Sequence, residues 1–257
     1  MRQIKALVFF DMDGTLLSSK STVLDEVKTA IHELRRNEGL PVIATGRSFF
    51  EVKPFMDELG IDSVISMNGQ FIKYGDKVLI DKKIPSELCQ KVLSYAEKRG
   101  DVLGFYNSQK IALSNDKLIS RCFYKQINAP YPEINSDFYR NNPVNQLLVI
   151  SKKADESYSR LFPELTFFIT GIHSIDTVLK GNSKGQGVLN FAAASGFENI
   201  PKYAFGDGLN DVSLFKAVDH SIAMGNAHEY LKKIATELTE TNDNLGIVTG
   251  LQSIGLI

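Results

Sequence analysis

Cysteine is scarce in this 257-residue chain: Cys89 and Cys122 stand 33 positions apart, with no Cys-x-x-Cys and no nearby histidine pairing. That excludes a disulfide framework or a zinc cluster and reads as two free core thiols. Neither sign of charge is in excess, since 29 Lys and Arg face 30 Asp and Glu for a net charge of -1. No basic cluster supplies locally the attraction for nucleic acid that the whole chain lacks. Long apolar runs are missing as well. The first, Ala6 to Phe10, falls far short of the ~20 residues a spanning helix needs and is too short for the apolar part of a signal peptide. The expectation is a cytoplasmic protein without a membrane partner. Internal repeats and low-complexity tracts are absent too. What remains, 43% hydrophobic and 23% charged, is an ordinary chain able to bury one large or two modest cores.

Residues 1–82 alternate strand and helix patterns. The apolar run Ala6–Phe10 is followed by Leu24, Val27, Ala30, Ile31 and Leu34 at helical spacing and then by Leu40–Ala44. Thr22 and Asp25 have the spacing of a capping box that would open the helix. The same alternation returns late in the chain, with Tyr203–Phe205, a helical Val212–Val218, Ser221–Gly225 and an amphipathic Ala227–Ala235. Such repetition predicts an α/β fold with a doubly wound parallel sheet. The middle differs: a hairpin over Phe71–Asp81 and a helix opening at Pro85-Ser86 precede short strand-like runs at 102–106, 111–113, 146–150 and 166–170 that could pair antiparallel. Residues 83–180 therefore read as a second α/β domain inserted between 1–82 and 181–257.

Four strand ends carry polar groups. Phe10 gives way to Asp11-Met12-Asp13-Gly14-Thr15, two carboxylates at the carboxyl end of a strand, where ligands of open α/β sheets bind. A calcium loop starting at Asp11 fails on spacing, because Leu16 and Thr22 stand where Gly and Glu are required. A plain turn, a glycosyltransferase-type metal site and a phosphoryl-accepting nucleophile stay open at this point. Ala44-Thr45-Gly46-Arg47 offers a hydroxyl and an amide at a helix start, though a Thr there is ordinarily only a cap. Lys184 falls near a helix amino terminus, where the dipole disfavours a cation, which points to an anionic partner or to a solvated surface lysine. Gly206-Asp207-Gly208-Leu209-Asn210-Asp211 adds two more carboxylates after a strand.

Taken together, acid pair, hydroxyl, lysine and second acid group make up the parts of a metal-assisted phosphoryl-transfer site. A carboxylate approaching a phosphate meets like charge, about 4 kcal/mol for unit charges ~4 Å apart at an effective dielectric of 20. A bridging cation offsets it. Asp11, Asp207 and a carbonyl from the loop at Asp13 offer Mg²⁺ hard oxygen ligands, while Lys184, Thr45 and the amides near Met12 and Gly46 suit phosphate oxygens. Asp11 is then free to attack, with Asp13 as proton donor and acceptor.

With DMDGTL, ATGR, KGNSKG and GDGLND in this order, and with SMNG at 66–69, AMGNA at 223–227 and TNDNLGIV near the end, the chain resembles a haloacid dehalogenase superfamily phosphatase of the Cof type over essentially its whole length. The resemblance implies a Rossmann-like core and an inserted α/β cap that closes over it and selects a small phosphorylated substrate. It implies Asp11 as nucleophile, Asp13 as acid and base, and magnesium on Asp11, the Asp13 carbonyl and Asp207. Phosphate would be held by Met12, Thr45, Gly46, Lys184 and Asn210, with Asp211 as a supporting anchor. One departure is visible: similar proteins usually have two acidic residues where Asn244 and Leu245 stand.

Sugar-phosphate hydrolysis leads, with a phosphomutase as the nearest alternative. A response-regulator receiver needs no such insertion and does not carry its phosphorylated Asp on the first strand. A glycosyltransferase leaves Lys184 and the Gly206–Asp211 loop unexplained. Within the insertion, Arg121, Tyr124, Lys125 and His173 are substrate-contact candidates that compete with plain packing or surface roles. Arg47 is either a contact to the leaving group or half of a salt bridge.

Overall fold

The computed structural model describes residues 3–257. The chain divides into two compact units, one made of residues up to Arg47, Glu51–Ile80 and Ser183–Ile257, the other of Ser48–Phe50 and Asp81–Asn182.

In the first unit, β1 (Ala6–Phe10), β2 (Gly39–Ala44), β3 (Ser63–Ser66), β4 (Phe71–Tyr74) and β5 (Lys77–Asp81) are joined late in the chain by β12 (Lys202–Gly206), β13 (His220–Ala223) and β14 (Glu237–Leu238). Their order is β14-β13-β12-β1-β2-β3-β4-β5. From β14 to β3 every pairing is parallel, and the hairpin strand β4 reverses direction against β3. The sheet winds outward from β1 in both directions, as in a doubly wound fold, so the crevice at the carboxyl ends opens beside β1. Every residue of β1 and β2 is buried, the signature of strands covered on both faces. The helix Asp25–Arg36 buries Val27, Ala30, Ile31 and Leu34, with acids in its first turn and arginines in its last, favourable to the helix dipole. Its start departs from the capping box expected at Thr22 and Asp25: Leu24 is the cap residue and makes no side-chain cap bond. The Thr22 hydroxyl pairs with Ser18 Oγ instead, at 2.9 Å.

The second unit holds β6 (Val102–Tyr106), β7 (Ile111–Leu113), β8 (Glu133–Ile134), β9 (Gln146–Ile150), β10 (Leu165–Gly171) and β11 (Ser174–Leu179) in the order β10-β11-β9-β6-β7-β8. All pairings are antiparallel except β7 with β8. The helix Ser86–Arg99 lays Leu88, Cys89, Val92, Leu93 and Ala96 on this sheet, and aromatic side chains from Phe105 to Phe162 fill the space around them. Both cysteines are free, but only Cys89 is a core thiol, whose pKa burial pushes up to about 12. Cys122 is exposed, contrary to expectation, because the helix Leu118–Gln126 turns only Ser120 and Tyr124 inward. Among the described residues no helix is long and apolar enough to cross a membrane.

Candidate active site

β1, β2 and β12 are neighbours in the sheet, so the turns that follow them share one end of it. After β1 the chain makes a tight turn in which Leu16 and Leu17 donate to the carbonyls of Asp11 and Met12. Gly14 has φ 75°, and a Cβ there would lie 2.3 Å from Asp207 Oδ2. Only glycine permits this approach of the β12 turn to the β1 turn. Asp207 is fixed by Thr15, whose hydroxyl donates to Oδ1 at 3.0 Å.

Lys184 settles the choice left open by its position. It is the first residue of the helix Lys184–Ser195, capped by Ser183, and its side chain has no exposed surface. The ammonium donates to Asp11 Oδ1 at 2.6 Å and to Asp211 Oδ1 at 2.7 Å. The other oxygen of Asp211 accepts from the backbone N–H groups of Asp207 and Gly208, at 3.1 and 3.0 Å. Asp211 is thus spent on holding Lys184 and the β12 turn. Asp11 Oδ2 accepts no hydrogen bond among the described residues.

Carboxylate oxygens of Asp11, Asp207 and Asp211 lie within 4.8 Å of one another, and only Asp11 and Asp211 are paired with the one ammonium. Burial first, and then repulsion by Asp211, lifts the Asp11 carboxyl well above its usual range. The same two causes bring Asp207 to about 6, with the Thr15 hydroxyl opposing them. Burial alone would favour neutral Lys184, but Asp11 and Asp211 override it and hold the amine above its ordinary pKa. A surplus of buried negative charge on hard oxygen donors, with Asp11 and Asp207 each keeping an oxygen free of hydrogen bonds, fits a divalent cation of the magnesium type.

The β2 turn brings a second group together. Thr45 is buried, and its Oγ1 accepts from the Arg47 backbone at 3.1 Å while keeping its own proton to donate. Met67 and Asn68 hold this turn through bonds to the carbonyls of Arg47 and Thr45, at 3.0 and 3.1 Å. They do so from a run of left-handed residues, φ 49° and 52°, that continues into Gly69 at 89°. Arg47 forms a salt bridge: its Nε and Nη2 grip both oxygens of Asp13. Met12 is fully buried behind the β1 turn, and Gly46 lies between Thr45 and Arg47. Asn210 sits in the β12 turn with its carboxamide against Gly208, and no hydrogen bond joins it to Asp11 or Lys184 among the described residues.

Sequence reasoning passed over the struts of the site. Besides Thr15, these are Asn226, which donates to the Gly14 carbonyl at 2.8 Å, and Asn242, which donates to the Leu17 carbonyl at 2.8 Å. Both asparagines lie in segments noted only as part of the resemblance, AMGNA and TNDNLGIV; their signal was a carboxamide in a turn-forming stretch. Near the departure at Asn244 and Leu245, Asp243 accepts from the Ser19 backbone at 2.8 Å, and Leu245 takes φ 60° ahead of the final helix Gly246–Ser253. In the second unit, Tyr124 is a packing residue, buried with its hydroxyl 2.5 Å from that of Tyr106. Arg121 pairs with Asp116, the His173 ring lies against the Ser151 carbonyl at 3.1 Å, and Lys125 is exposed.

A family model of haloacid dehalogenase-like hydrolases matches residues 8–251. A putative phosphatase of Bacillus subtilis, YkrA, is 32% identical over 98% of both chains. A hypothetical protein of Geobacillus kaustophilus superposes with a TM-score of 0.89 at 32% identity, covering 98% of this chain and 99% of its own. The sugar phosphatase BT4131, of subclass IIB of the superfamily, does so with 0.85 at 25% identity, over 98% of this chain and 99% of its own. Together with the core sheet and its inserted α/β cap, these likenesses establish that the chain belongs to the haloacid dehalogenase-like hydrolases and is an enzyme of their phosphatase branch.

Proposed function

We propose that the protein hydrolyses small phosphate monoesters, sugar phosphates foremost, through a phosphorylated Asp11 and with magnesium. The observation that carries this reading is Asp11 itself. It is a buried carboxylate with one oxygen anchored on Lys184 and the other unbonded, beside a second carboxylate able to share a cation. The unbonded oxygen attacks phosphorus in line with the ester oxygen. Asp13 gives that oxygen a proton as it leaves and later takes one from the water that hydrolyses the aspartyl phosphate. The Lys184 ammonium, the Thr45 hydroxyl, the amides about Met12 and Gly46 and the Asn210 carboxamide hold the phosphoryl oxygens. The carboxylates of Asp11 and Asp207 and the Asp13 carbonyl would hold the magnesium, whose charge, when bound, offsets the repulsion between nucleophile and phosphate. The sugar-phosphate preference is supported by BT4131, a sugar phosphatase.

The test is phosphate release by purified protein from sugar phosphates, nucleotides and cofactor phosphates, with and without magnesium. Activity is expected on the sugar phosphates and only with the metal. Wild-type turnover by Asp11→Asn would remove the mechanism, and an inert sugar-phosphate set would remove the substrate class.

A further inference from the structure

The four carboxylates of the site are held very unequally. Asp11 is anchored by Lys184, Asp207 by Thr15, and Asp211 by an ammonium and two backbone amides. Asp13 has an exposed side chain, with 58% of its surface accessible, and among the described residues its carboxylate has one partner, Arg47. That partner is held at two points of its backbone and at one of its guanidinium. The Arg47 N–H bonds to Thr45 Oγ1 and its carbonyl accepts from Met67 N. Its guanidinium lies 5.9 Å from the Phe55 ring centre.

An ordinary exposed ion pair joins two mobile chains and is worth little. Here one end is pinned and planar. A guanidinium that takes both oxygens fixes the plane of a carboxylate, which as a single exposed Asp would sample several staggered wells. Each carboxylate oxygen has two acceptor positions, so the pair orients Asp13 without using it up.

We infer that Arg47 is a positioning residue: by gripping both oxygens of Asp13 from the β2 turn, it holds that carboxylate where it can exchange a proton with the departing ester oxygen. The inference rests on the role given to Asp13 above.

Leaving-group dependence tests it. Benzyl phosphate and p-nitrophenyl phosphate are similar in size, but only the benzyl alkoxide needs a proton to leave. With magnesium present, kcat/KM reports the first transfer. For Arg47→Ala it is expected to fall about ten- to hundredfold on benzyl phosphate, the scale of a misplaced catalytic group, and less than about threefold on p-nitrophenyl phosphate. Asp13→Asn is expected to show the same pattern with a larger loss, and Arg47→Ala is expected to add nothing in that background. Arg47→Lys, which keeps the charge but not the fork, should fall between wild type and Arg47→Ala, and it stands in if the alanine variant does not fold. Equal losses on the two esters, or losses that multiply with Asp13→Asn, overturn the inference while leaving Asp13 its role. If Asp13→Asn itself shows no leaving-group dependence, the role of Asp13 fails and the inference goes with it.

Discussion

Both units have apolar cores, but they differ in the charge they bury. In the first, Lys184, Asp11 and Asp211 have side chains 0%, 7% and 0% exposed. In the second, a cluster of rings packs on a largely aliphatic core, with Tyr95, Tyr158, Phe162 and Phe167 in contact. Its most buried acid, Asp101, accepts from the Tyr158 hydroxyl at 2.7 Å and from Arg99, whose side chain is 26% exposed, at 3.0 Å. An aromatic core lowers free energy by area and shape alone. A buried triad with an excess of carboxylate does not: desolvation outweighs much of the attraction, and apolar replacements are often as stable. The first unit therefore keeps charge where folding does not ask for it, which is what a site selected for chemistry looks like.

The largest effect that sharpens this contrast comes from Asp11→Asn. Loss of the proposed nucleophile should lower turnover about 10⁴-fold or more. Stability should hold or rise, because one of three mutually repelling carboxylates is gone. Phosphate release and urea unfolding on the same preparation decide it; a loss of stability equal to that from a deleted core side chain would make Asp11 structural.

Lys184→Met tests the other side of the triad. It leaves Asp11 and Asp211 buried without a cation, which should cost about 3–5 kcal/mol in denaturant unfolding. The corresponding change in the second unit, Arg99→Met, removes the one cation beside Asp101, whose side chain is 5% exposed, but leaves it the Tyr158 hydroxyl, so a smaller loss of about 2–3 kcal/mol is expected. Similar losses would erase the distinction between the units.

How much of this could be read from the sequence follows from how far each signal reaches along the chain. β1 and β2 declare themselves by uninterrupted apolar runs, and the helix Asp25–Arg36 by its 3.6-residue period. The strand ends that carry Asp11, Thr45 and Asp207 follow from those patterns. What could not be read is pairing at a distance. Lys184 meets Asp11 across 173 positions and Thr15 meets Asp207 across 192, so burial of the lysine and the strut under Asp207 have no local mark. Only the dipole argument at the helix start hinted at the first. In the insertion β11 has no strand signature of its own, because Ser174–Leu179 mixes polar and apolar residues and becomes a strand by lying between β10 and β9. Tyr124 was a substrate candidate for its hydroxyl, and that hydroxyl is occupied by Tyr106.

If magnesium binds at Asp11 and Asp207 as proposed, protons and metal compete for these carboxylates, and that sets a pH dependence in the first unit. Asp207 titrates at about 6 in the folded metal-free protein against an ordinary 3.8, so the folded form holds a proton that the unfolded chain has released. Stability tied to this group is present below pH 4 and is lost as pH rises to 6. Magnesium needs the ionised carboxylates, so its apparent affinity should rise by at least about tenfold per pH unit below 6. Calorimetric titration of magnesium from pH 5 to 8 measures the slope, and Asp207→Asn should flatten the pH dependence of metal-free melting. A metal affinity independent of pH across 5 to 6 would place the cation elsewhere.

The smallest effect belongs to the second unit and is its counterpart to Asp11→Asn. Tyr158→Phe removes one hydroxyl from Asp101 and leaves the rings in place, so the aromatic packing with Tyr95, Phe162 and Phe167 persists. Asp101 retains the Nε of Arg99 at 3.0 Å, and the cost should be that of one hydrogen bond to a charged group, about 1–2 kcal/mol. Turnover of p-nitrophenyl phosphate should stay within about twofold of wild type, since surface and packing changes away from a site seldom exceed small shifts. The two substitutions thus run in opposite directions, one removing activity at no cost in stability and the other removing stability at no cost in activity. A Tyr158→Phe variant that folds normally but loses turnover would mean that the aromatic interior of the second unit takes part in the chemistry of the first.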